Sequence, residues 1–387
     1  METVEYRLPD GFNPPRIRLP RQQTAIVQDA EGKGTIRHDQ SLPVHRLEPH
    51  HVLVKTVAVS INPCDWKMPS KFPTEGARIG CDFTGTVIAI GPHVKDRWNG
   101  SLALGDRVCG GVHGSNPIDL ESSSFVQFIA ADANNLLLRL PEHVSWEAGA
   151  VLGAASVSTL SIVFDTALKL TGTPEKPLVT EKPFYVLVYG ASTNTGTMAL
   201  QLLKLSGYTP IATCSPHNFP LVRKFGAAAA FDYRSPTCAD DIRSFTGRTL
   251  SHVLDVITDA RSQMLCGNVF GRGGGMYAVL ELPDPESPVA KRRTVKTEFV
   301  VGLAAIGKEV ALSGGYERPA DHRVQARSAH DFAVVQRLLD EDKVRAHPAK
   351  VISPGGFSGI LEGIKILRDG GTSGEKLVVF LEETAEK

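Results

Sequence analysis

The chain has 387 residues, of which 42% are hydrophobic, and this length favours two domains that each bury a core. Its 42 basic residues balance its 42 acidic residues, which argues against a nucleic-acid binder. The N-terminus lacks the pattern of a secretory signal, and we find no apolar stretch near the roughly 20 residues of a membrane span. We therefore expect a soluble, cytoplasmic protein with no membrane partner.

The six cysteines are scattered and include no CxxC pair. They are Cys64, Cys81, Cys109, Cys214, Cys238 and Cys266. Structural zinc usually has closely spaced ligands, so we expect no bound metal. The cysteines are expected to be small buried residues.

The hydrophobic pattern changes in character along the chain. Short β-branched runs broken by glycine, proline and asparagine extend from Thr24 to Ala131 and predict a small antiparallel barrel. A serine cap at Ser145 followed by apolar periodicity predicts helices. From "FYVLVYG" onward strand and helix alternate, with helices ending at Gly207 and Gly226, which predicts a doubly wound parallel sheet of about six strands.

The last elements are a helix, "DFAVVQRLLDEDKV", and a strand, "EKLVVFLE". They are too few for a third core, so we expect them to return to the first domain. The predicted organisation is a discontinuous domain of residues 1–155 and 325–387 and a cofactor-binding domain of residues 156–324.

A turn of small residues from Gly190 to Gly196 joins an apolar strand to a helix in "VLVYGASTNTGTMALQLLKLSG". Such a turn lets backbone N–H groups and the positive helix end approach a pyrophosphate. The residues expected to bind the dinucleotide there are Ser192, Thr193, Asn194 and Thr195. Tight strand-to-helix packing is the alternative explanation, and the full βαβ series favours the cofactor.

The choice between NADH and NADPH is made about 20 residues later, where a carboxylate would bind a ribose 2′-hydroxyl. The second strand instead ends in "TCSPHN", without a carboxylate. We expect the 2′-phosphate of NADPH to be bound by Ser215, Pro216, His217 and Asn218, with Tyr233 and then Arg234 after the next strand. A simple polar helix cap is the alternative.

At this point the sequence resembles the medium-chain dehydrogenase/reductase superfamily, in its zinc-free quinone oxidoreductase and enoyl reductase branch. The segments "INPCDWK", "GCDFTGTVIAIG" and "GDRV" are similar to motifs of that branch, and the resemblance covers nearly the whole chain. It implies an α/β protein with a GroES-like β-barrel catalytic domain and a Rossmann NADPH domain. "LSGYTPIATCSPHNF", "FDYRSP" and "SGEKLVVFLE" further resemble fungal trans-acting enoyl reductases of highly reducing polyketide synthases, the type known from the lovastatin pathway.

The resemblance also implies site residues. The catalytic candidates are Lys67 and Thr159, and the alternatives are a solvated lysine and a threonine bonded to its own helix. Further cofactor contacts are Cys64, Asp65, Trp66, Lys67, Leu280, Glu281, Ser373 and Gly374, the last two competing with a plain surface turn. Substrate contacts are Thr159, Leu160, Ser161, Ile162, Val163, Phe164, Asp165, Thr166, Leu303, Ala304, Ala305, Ile306 and Gly307, of which the apolar ones could instead be core.

In zinc-dependent members a Cys and a His hold the catalytic metal, and the corresponding positions here are Asn62 and Cys81. Without a Lewis acid, an enone or enoyl thioester is an easier electrophile than a ketone, because hydride addition gives a delocalised enolate. The resemblance implies NADPH-dependent reduction of an acyl chain on the acyl carrier domain of a partner polyketide synthase or synthase–peptide synthetase hybrid. We expect a monomer rather than a homodimer. A free-standing quinone or alkenal reductase and a non-catalytic NADPH-binding regulatory protein remain alternatives.

Overall fold

The structure is a computed structural model that describes residues 3–31, 33–39, 47–95 and 102–381. The chain forms two compact units, one of Met1–Ala155 and Ile306–Lys387 and the other of Ser156–Ala305. The second boundary of these units therefore falls between residues 305 and 306, whereas the sequence placed a domain limit between 324 and 325. The domain limits stay a prediction, because compactness alone does not show which segment folds independently.

The first unit is built on a sheet of seven strands. β5 (His51–Ser60) is its long central strand, and its almost continuous burial explains the apolar run "VLVKTVAVS". The order is β16-β17-β5-β6-β7-β9, with β8 also on β5. The other six strands are β6 (Asp82–Ile90), β7 (Arg107–Gly111), β8 (Phe128–Asp132), β9 (Leu137–Arg139), β16 (Ala349–Val351) and β17 (Lys376–Phe380).

Two antiparallel pairs accompany this sheet in the described residues. They are β1 (Thr3–Arg7) with β2 (Arg16–Pro20), and β3 (Gln23–Gln28) with β4 (Gly34–Asp39). Four antiparallel pairs, β3 with β4, β5 with β6, β5 with β8 and β6 with β7, confirm the predicted barrel-type β structure between Thr24 and Ala131. The C-terminal strand β17 pairs with β5, with Val378 opposite Ser60. Glu382, the last residue of the predicted final strand, lies outside the described residues.

The second unit contains an all-parallel sheet of six strands in the order β12-β11-β10-β13-β14-β15. The strands are β10 (Tyr185–Tyr189), β11 (Thr209–Cys214), β12 (Ala229–Asp232), β13 (His252–Asp255), β14 (Gly275–Val279) and β15 (Val295–Phe299). This confirms the predicted doubly wound sheet. Because the strand order reverses between β10 and β13, the carboxyl ends of these two strands flank the point where such sheets bind dinucleotides.

The helices agree with the capping signals in the sequence. α4 (Asn194–Leu205) begins at the cap Thr193 and is followed by Gly207, whose φ of +85° suits a helix end. The other helices are α1 (Cys64–Lys71), α2 (Trp146–Leu152), α3 (Ala155–Ile162), α5 (Phe219–Lys224), α6 (Cys238–Phe245), α7 (Ala260–Val269), α8 (His322–Asp340) and α9 (Gly356–Arg368). Ser145 caps α2 as predicted, with its side chain accepting from the N–H of Ala148.

One apolar stretch does reach the length of a membrane span, contrary to the expectation from the sequence. Residues Trp146–Ala167, which include α2, α3 and a π-helical segment Val163–Ala167, satisfy that test by length and composition. Most of this window is buried inside the protein, which is typical of a core segment. The α helices are also separated by Gly153, whose backbone is not helical.

Candidate active site

The turn between β10 and α4 has the geometry that a dinucleotide requires. Gly190 has a φ of +77°, a region that favours glycine. A Cβ on Gly196 would lie 2.5 Å from the carbonyl oxygen of Gly190, so only glycine allows this close packing of helix and strand. Asn194 and Thr195 form the first turn of α4, whose positive helix end favours an anion.

The hydroxyl of Thr193 makes two hydrogen bonds within the turn, and its predicted cofactor contact stays a prediction. Its hydroxyl donates to the carbonyl oxygen of Gly190 at 2.8 Å and accepts from the N–H of Gly196 at 3.0 Å. The single hydroxyl proton is therefore consumed in the turn and is not available to a phosphate in this conformation. Thr193 shapes the loop and caps α4, while Ser192, Asn194 and Thr195 beside it are half-buried.

Beyond the ends of β11 and β12 lie a short polar turn and the ring of Tyr233, which has two guanidinium groups near it, one after β12 and one on α7. Ser215 precedes a short 3₁₀ turn, Pro216–Asn218, in which Pro216 and His217 are exposed. The ring of Tyr233 has the guanidinium of Arg234 at 5.1 Å and that of Arg261 at 5.9 Å from its centroid. Two guanidinium groups around one ring form an environment that attracts an anion.

The switch-point strand β13 ends in a buried carboxylate that the sequence did not reveal as a site residue. Asp255 accepts from the hydroxyl of Tyr277 at 2.6 Å and from the N–H groups of Ile257 and Thr258 at 3.0 and 2.9 Å. Burial raises the pKa of the Asp255 carboxyl, and these donors oppose the rise. Thr258 in turn accepts from the N–H of Leu280 at 3.2 Å, so this network holds the predicted cofactor stretch that contains Leu280 and Glu281.

Two of the predicted substrate stretches come together in the second unit. A Cβ on Gly302 would lie 2.2 Å from the Oγ1 of Thr159, so the threonine hydroxyl packs directly on the backbone at Gly302. Gly302 opens the 3₁₀ helix Gly302–Ile306, which contains most of the second stretch. The close approach explains why glycine precedes Leu303.

The remaining residues of the first stretch differ in exposure. Leu160 and Val163 are fully buried, which agrees with core packing. Asp165 and Thr166 are exposed, and Thr166 donates to the carbonyl oxygen of Ile162 at 2.8 Å. Phe164 is half-buried in the π-helical segment, a conformation that often marks functional positions.

A buried ion pair lies in the first unit. The ammonium of Lys376 is 2.6 Å from Oδ1 of Asn62 and 3.0 Å from Oδ2 of Asp82, which also accepts from Nδ2 of Asn62 at 2.8 Å. The other oxygen of Asp82 accepts from the N–H groups of Ala154 and Ala155 at 3.0 and 2.9 Å. The amide of Asn62 thus donates to a carboxylate through Nδ2 and accepts from an ammonium through Oδ1.

This ion pair also changes the picture of the C-terminal segment. Lys376 follows Ser373 and Gly374, which the resemblance places at the cofactor phosphates. Ser373 is exposed and Gly374 is half-buried, whereas Lys376 is buried and its ammonium is held within the first unit. Sequence reasoning missed this pairing, because the partners lie about three hundred residues apart in the chain.

The first turn of α1 carries a second carboxyl, that of Asp65, and the thiol of Cys64, which meets the thiol of Cys81 directly before β6. Oδ2 of Asp65 accepts from the N–H of Asn62 at 2.6 Å, which fixes the turn before α1. Burial raises the pKa of Asp65 to about 7, helped by the charge of Asp82. The Sγ atoms of Cys64 and Cys81 lie 3.8 Å apart.

The lysine proposed as catalytic lies on the same helix. Lys67 is half-buried, and its ammonium is 6.0 Å from the centroid of the half-buried Trp66 ring. The segment from Asn62 to Lys67 therefore combines an amide engaged by an ion pair, a carboxyl that titrates near neutrality and a partly accessible ammonium.

These features fit a nicotinamide dinucleotide. Neither Gly190 nor Gly196 has room for a Cβ, so the turn between β10 and α4 is tight. Thr193 caps α4, which begins directly after this turn. Thr213 on β11 is paired in the sheet with Tyr189, the last residue of β10. Its hydroxyl is buried and has no hydrogen-bond partner in the part of the chain that is described. The fold and these residues define a medium-chain dehydrogenase/reductase.

Comparisons with known proteins agree with this class. Residues 48–141 match the alcohol dehydrogenase GroES-like domain. The chain is 58% identical to trans-enoyl reductase poxP of Penicillium oxalicum, over 97% of both chains. It is 45% identical to trans-enoyl reductase ffsC of Aspergillus flavipes, over 94% of this chain and 97% of that one. The chain therefore belongs to the trans-enoyl reductase family, which are oxidoreductases with a nicotinamide cofactor.

Solved structures show the same fold. The crystal structure of CurK enoyl reductase matches with a TM-score of 0.70 at 16% identity, covering 93% of this chain and 99% of that chain. A putative zinc-dependent alcohol dehydrogenase from Rhizobium etli matches with a TM-score of 0.73 at 21% identity, covering 94% and 99%. At such low identity these likenesses concern the fold alone.

Proposed function

We propose that this protein is an NADPH-dependent enoyl reductase that acts in trans on an α,β-unsaturated acyl chain carried by a separate polyketide synthase. Similarity at 58% identity over 97% of the chain to a protein named trans-enoyl reductase carries this proposal. The reaction adds hydride to the β-carbon of the enoyl group and a proton to the α-carbon.

The preference for NADPH is supported by charge at the ends of β11 and β12. β11 ends at Cys214, and the turn that follows offers Ser215 and His217 rather than a carboxylate. A carboxylate here would repel a 2′-phosphate, whereas the guanidinium groups of Arg234 and Arg261 attract one.

The cofactor supplies the hydride, and the chain provides binding, orientation and a donor for the developing enolate oxygen. We assign the donor role to Thr159, whose hydroxyl is fixed in place by its packing against Gly302. Lys67 orients the cofactor or the substrate carbonyl from α1. Asp65 holds the turn before α1 through the N–H of Asn62, which positions Lys67.

The proposed partner is the acyl carrier domain of the synthase, which presents the chain as a thioester. We expect the reductase to be a cytoplasmic monomer. Size-exclusion chromatography with light scattering of the purified protein tests the monomer, and localisation of a fluorescent fusion tests the compartment.

The activity is tested with an enoyl thioester of pantetheine or of a purified carrier domain, by following oxidation of reduced nicotinamide. We expect turnover with NADPH well above that with NADH. Lys67→Met is expected to lower turnover, while Lys71→Met on the same helix serves as the matched control. Lys71 contacts Tyr316 and has no proposed role in the reaction.

Two other outcomes would reject the proposal. Reduction of quinones or alkenals without reduction of enoyl thioesters would identify a free-standing small-molecule reductase. Tight NADPH binding with no turnover on any of these acceptors would identify a binding protein that has kept the fold.

A further inference from the structure

We propose that Cys64 and Cys81 are a redox-active thiol pair that closes to a disulfide when the protein meets a small-molecule disulfide of the glutathione class. The two Sγ atoms are 3.8 Å apart, in hydrogen-bond contact. A disulfide requires about 2 Å between sulfur atoms, so small side-chain rotations bridge the difference. This inference goes beyond the proposed reductase activity and does not depend on it.

The pair has an accessible and a protected member. Among the six cysteines, all of which lie in described parts of the chain, Cys64 alone is partly exposed, and Cys81 is 6% exposed. We assign Cys64, the less buried residue of the two, as the thiol that meets the external disulfide, and Cys81 as the thiol that completes the bond. Cys109, on β7, is fully buried.

A base stands beside the accessible thiol. The hydrogen bond with Cys81, followed by burial, raises the pKa of Cys64 well above its ordinary value, so the thiol is protonated at neutral pH. Attack by sulfur needs the thiolate. Oδ1 of Asp65 lies 3.9 Å from Sγ of Cys64, and the Asp65 carboxyl titrates near neutrality, which lets it accept this proton.

The reaction balances in two exchange steps. Sγ of Cys64, after losing its proton to Asp65, attacks one sulfur of the external disulfide and releases one small thiolate, which takes up a proton. That proton comes from Asp65, whose carboxylate then accepts the proton of Cys81, its hydrogen-bond partner. Sγ of Cys81 attacks Sγ of Cys64 in the mixed disulfide and releases the second small thiolate, which takes the proton from Asp65 and leaves as a thiol. Two protein thiols are oxidised, and one external disulfide is reduced to two thiols.

Closure would act on the neighbouring site. Cys64 is the first residue of α1, which bears Lys67, and Cys81 precedes Asp82, which binds Lys376 and the backbone of Ala154. The disulfide would join the start of α1 covalently to the residue before β6 and so restrict the motion of α1 relative to Asp82. We expect the oxidised protein to turn over at least fivefold more slowly, with recovery on treatment with dithiothreitol.

The chain offers a direct measurement. Trypsin cleavage places Cys64 in the peptide of residues 56–67, Cys81 in that of 79–95 and Cys109 in that of 108–139. The reduced full-length protein is treated with glutathione disulfide, its free thiols are blocked by alkylation, and the digest is analysed by mass spectrometry without reduction. We expect a linked species of residues 56–67 and 79–95 that disappears with dithiothreitol.

Variants separate the two roles. Cys81→Ser should trap glutathione on residue 64, whereas Cys64→Ser should leave Cys81 reduced. Cys109→Ser is the matched control and should form the link at the wild-type rate. The proposal is overturned if the wild-type protein shows no linked species, or if the link appears only after denaturation. If the disulfide forms but turnover does not change, the expected effect of the disulfide on the neighbouring site is rejected. If the reduced protein is inactive on enoyl thioesters, that result counts only against the proposed function.

Discussion

The buried pair of Lys376 and Asp82 makes a quantitative prediction. In Lys376→Met the ammonium is lost, while the Asp82 carboxylate stays buried with the amide of Asn62 and the N–H groups of Ala154 and Ala155 as its donors. Removing one partner of a buried pair costs about 3–5 kcal/mol. Because these donors remain, together with the hydroxyl of Ser60 at 3.5 Å, we expect about 3 kcal/mol, near the lower end of that range.

This loss is large enough to measure by differential scanning calorimetry. A change of 1 kcal/mol shifts Tm by about 2–4 °C in a unit of this size, so Lys376→Met should lower Tm by about 6–12 °C. The matched control is Lys308→Met, which breaks an exposed ion pair with Glu48. The side chain of Lys308 is 57% exposed and that of Glu48 is 46% exposed. An exposed pair is worth about 1 kcal/mol at most, so the control should lose about 4 °C or less.

The double variant with Asp82→Asn isolates the electrostatic part of the effect. If the ammonium stabilises the fold by neutralising the buried carboxylate, Lys376→Met should cost clearly less when residue 82 is already uncharged. A fall in Tm for Lys376→Met no greater than for Lys308→Met, or strict additivity with Asp82→Asn, would show that the pair does not support the fold in this way.

Three further results are expected. Gly196→Ala puts a Cβ 2.5 Å from a facing carbonyl oxygen and should weaken NADPH binding at least tenfold in a fluorescence titration, whereas Gly273→Ala, where a Cβ meets open space, should not. Tyr277→Phe leaves a buried carboxylate one donor short and should lower the free energy of unfolding by about 1–3 kcal/mol in urea; a loss below about 0.5 kcal/mol would contradict the bond. The pKa of Asp65 rises to about 7, so the folded state keeps a proton that the unfolded chain releases near pH 4. The free energy of unfolding should therefore fall by about 2 kcal/mol from pH 5 to 7. In Asp65→Asn this dependence on pH should disappear.

Local patterns in the sequence were sufficient for the cofactor unit. Strand β10, the small-residue turn and α4 ending before Gly207 follow from residues that are neighbours in the chain, and the predicted parallel sheet is confirmed. The use of Thr193 was not foreseen, because a threonine at a turn can either cap a helix or donate to a ligand. In the structure its hydroxyl caps α4, and the contact of Thr193 with the cofactor stays a prediction.

The chemistry of the first unit could not be read in the same way. Lys376 and Asp82 are 294 residues apart. The second unit has a similar case, because Tyr277 on β14 meets Asp255 on the adjacent strand β13. No periodicity links such residues, since their contact follows from strand pairing between distant segments. Sequence alone therefore named Ser373 and Gly374 as site residues in this segment but not Lys376, and it treated the cysteines as separate buried residues.

The charges around Asn62 explain why two carboxyls in one cluster behave differently. The ammonium of Lys376 lies 3.0 Å from the carboxylate of Asp82. Among its described contacts, the carboxyl of Asp65 accepts from the N–H of Asn62 and has no direct bond to Lys376. Asp82 is therefore the paired carboxylate, and burial together with the charge of Asp82 raises the pKa of Asp65 to about 7. The charge of Lys376 opposes this rise. It follows that Lys376→Met should shift the Asp65-dependent loss of stability to higher pH, so that the same variant tests both the ion pair and the origin of the neutral-range titration.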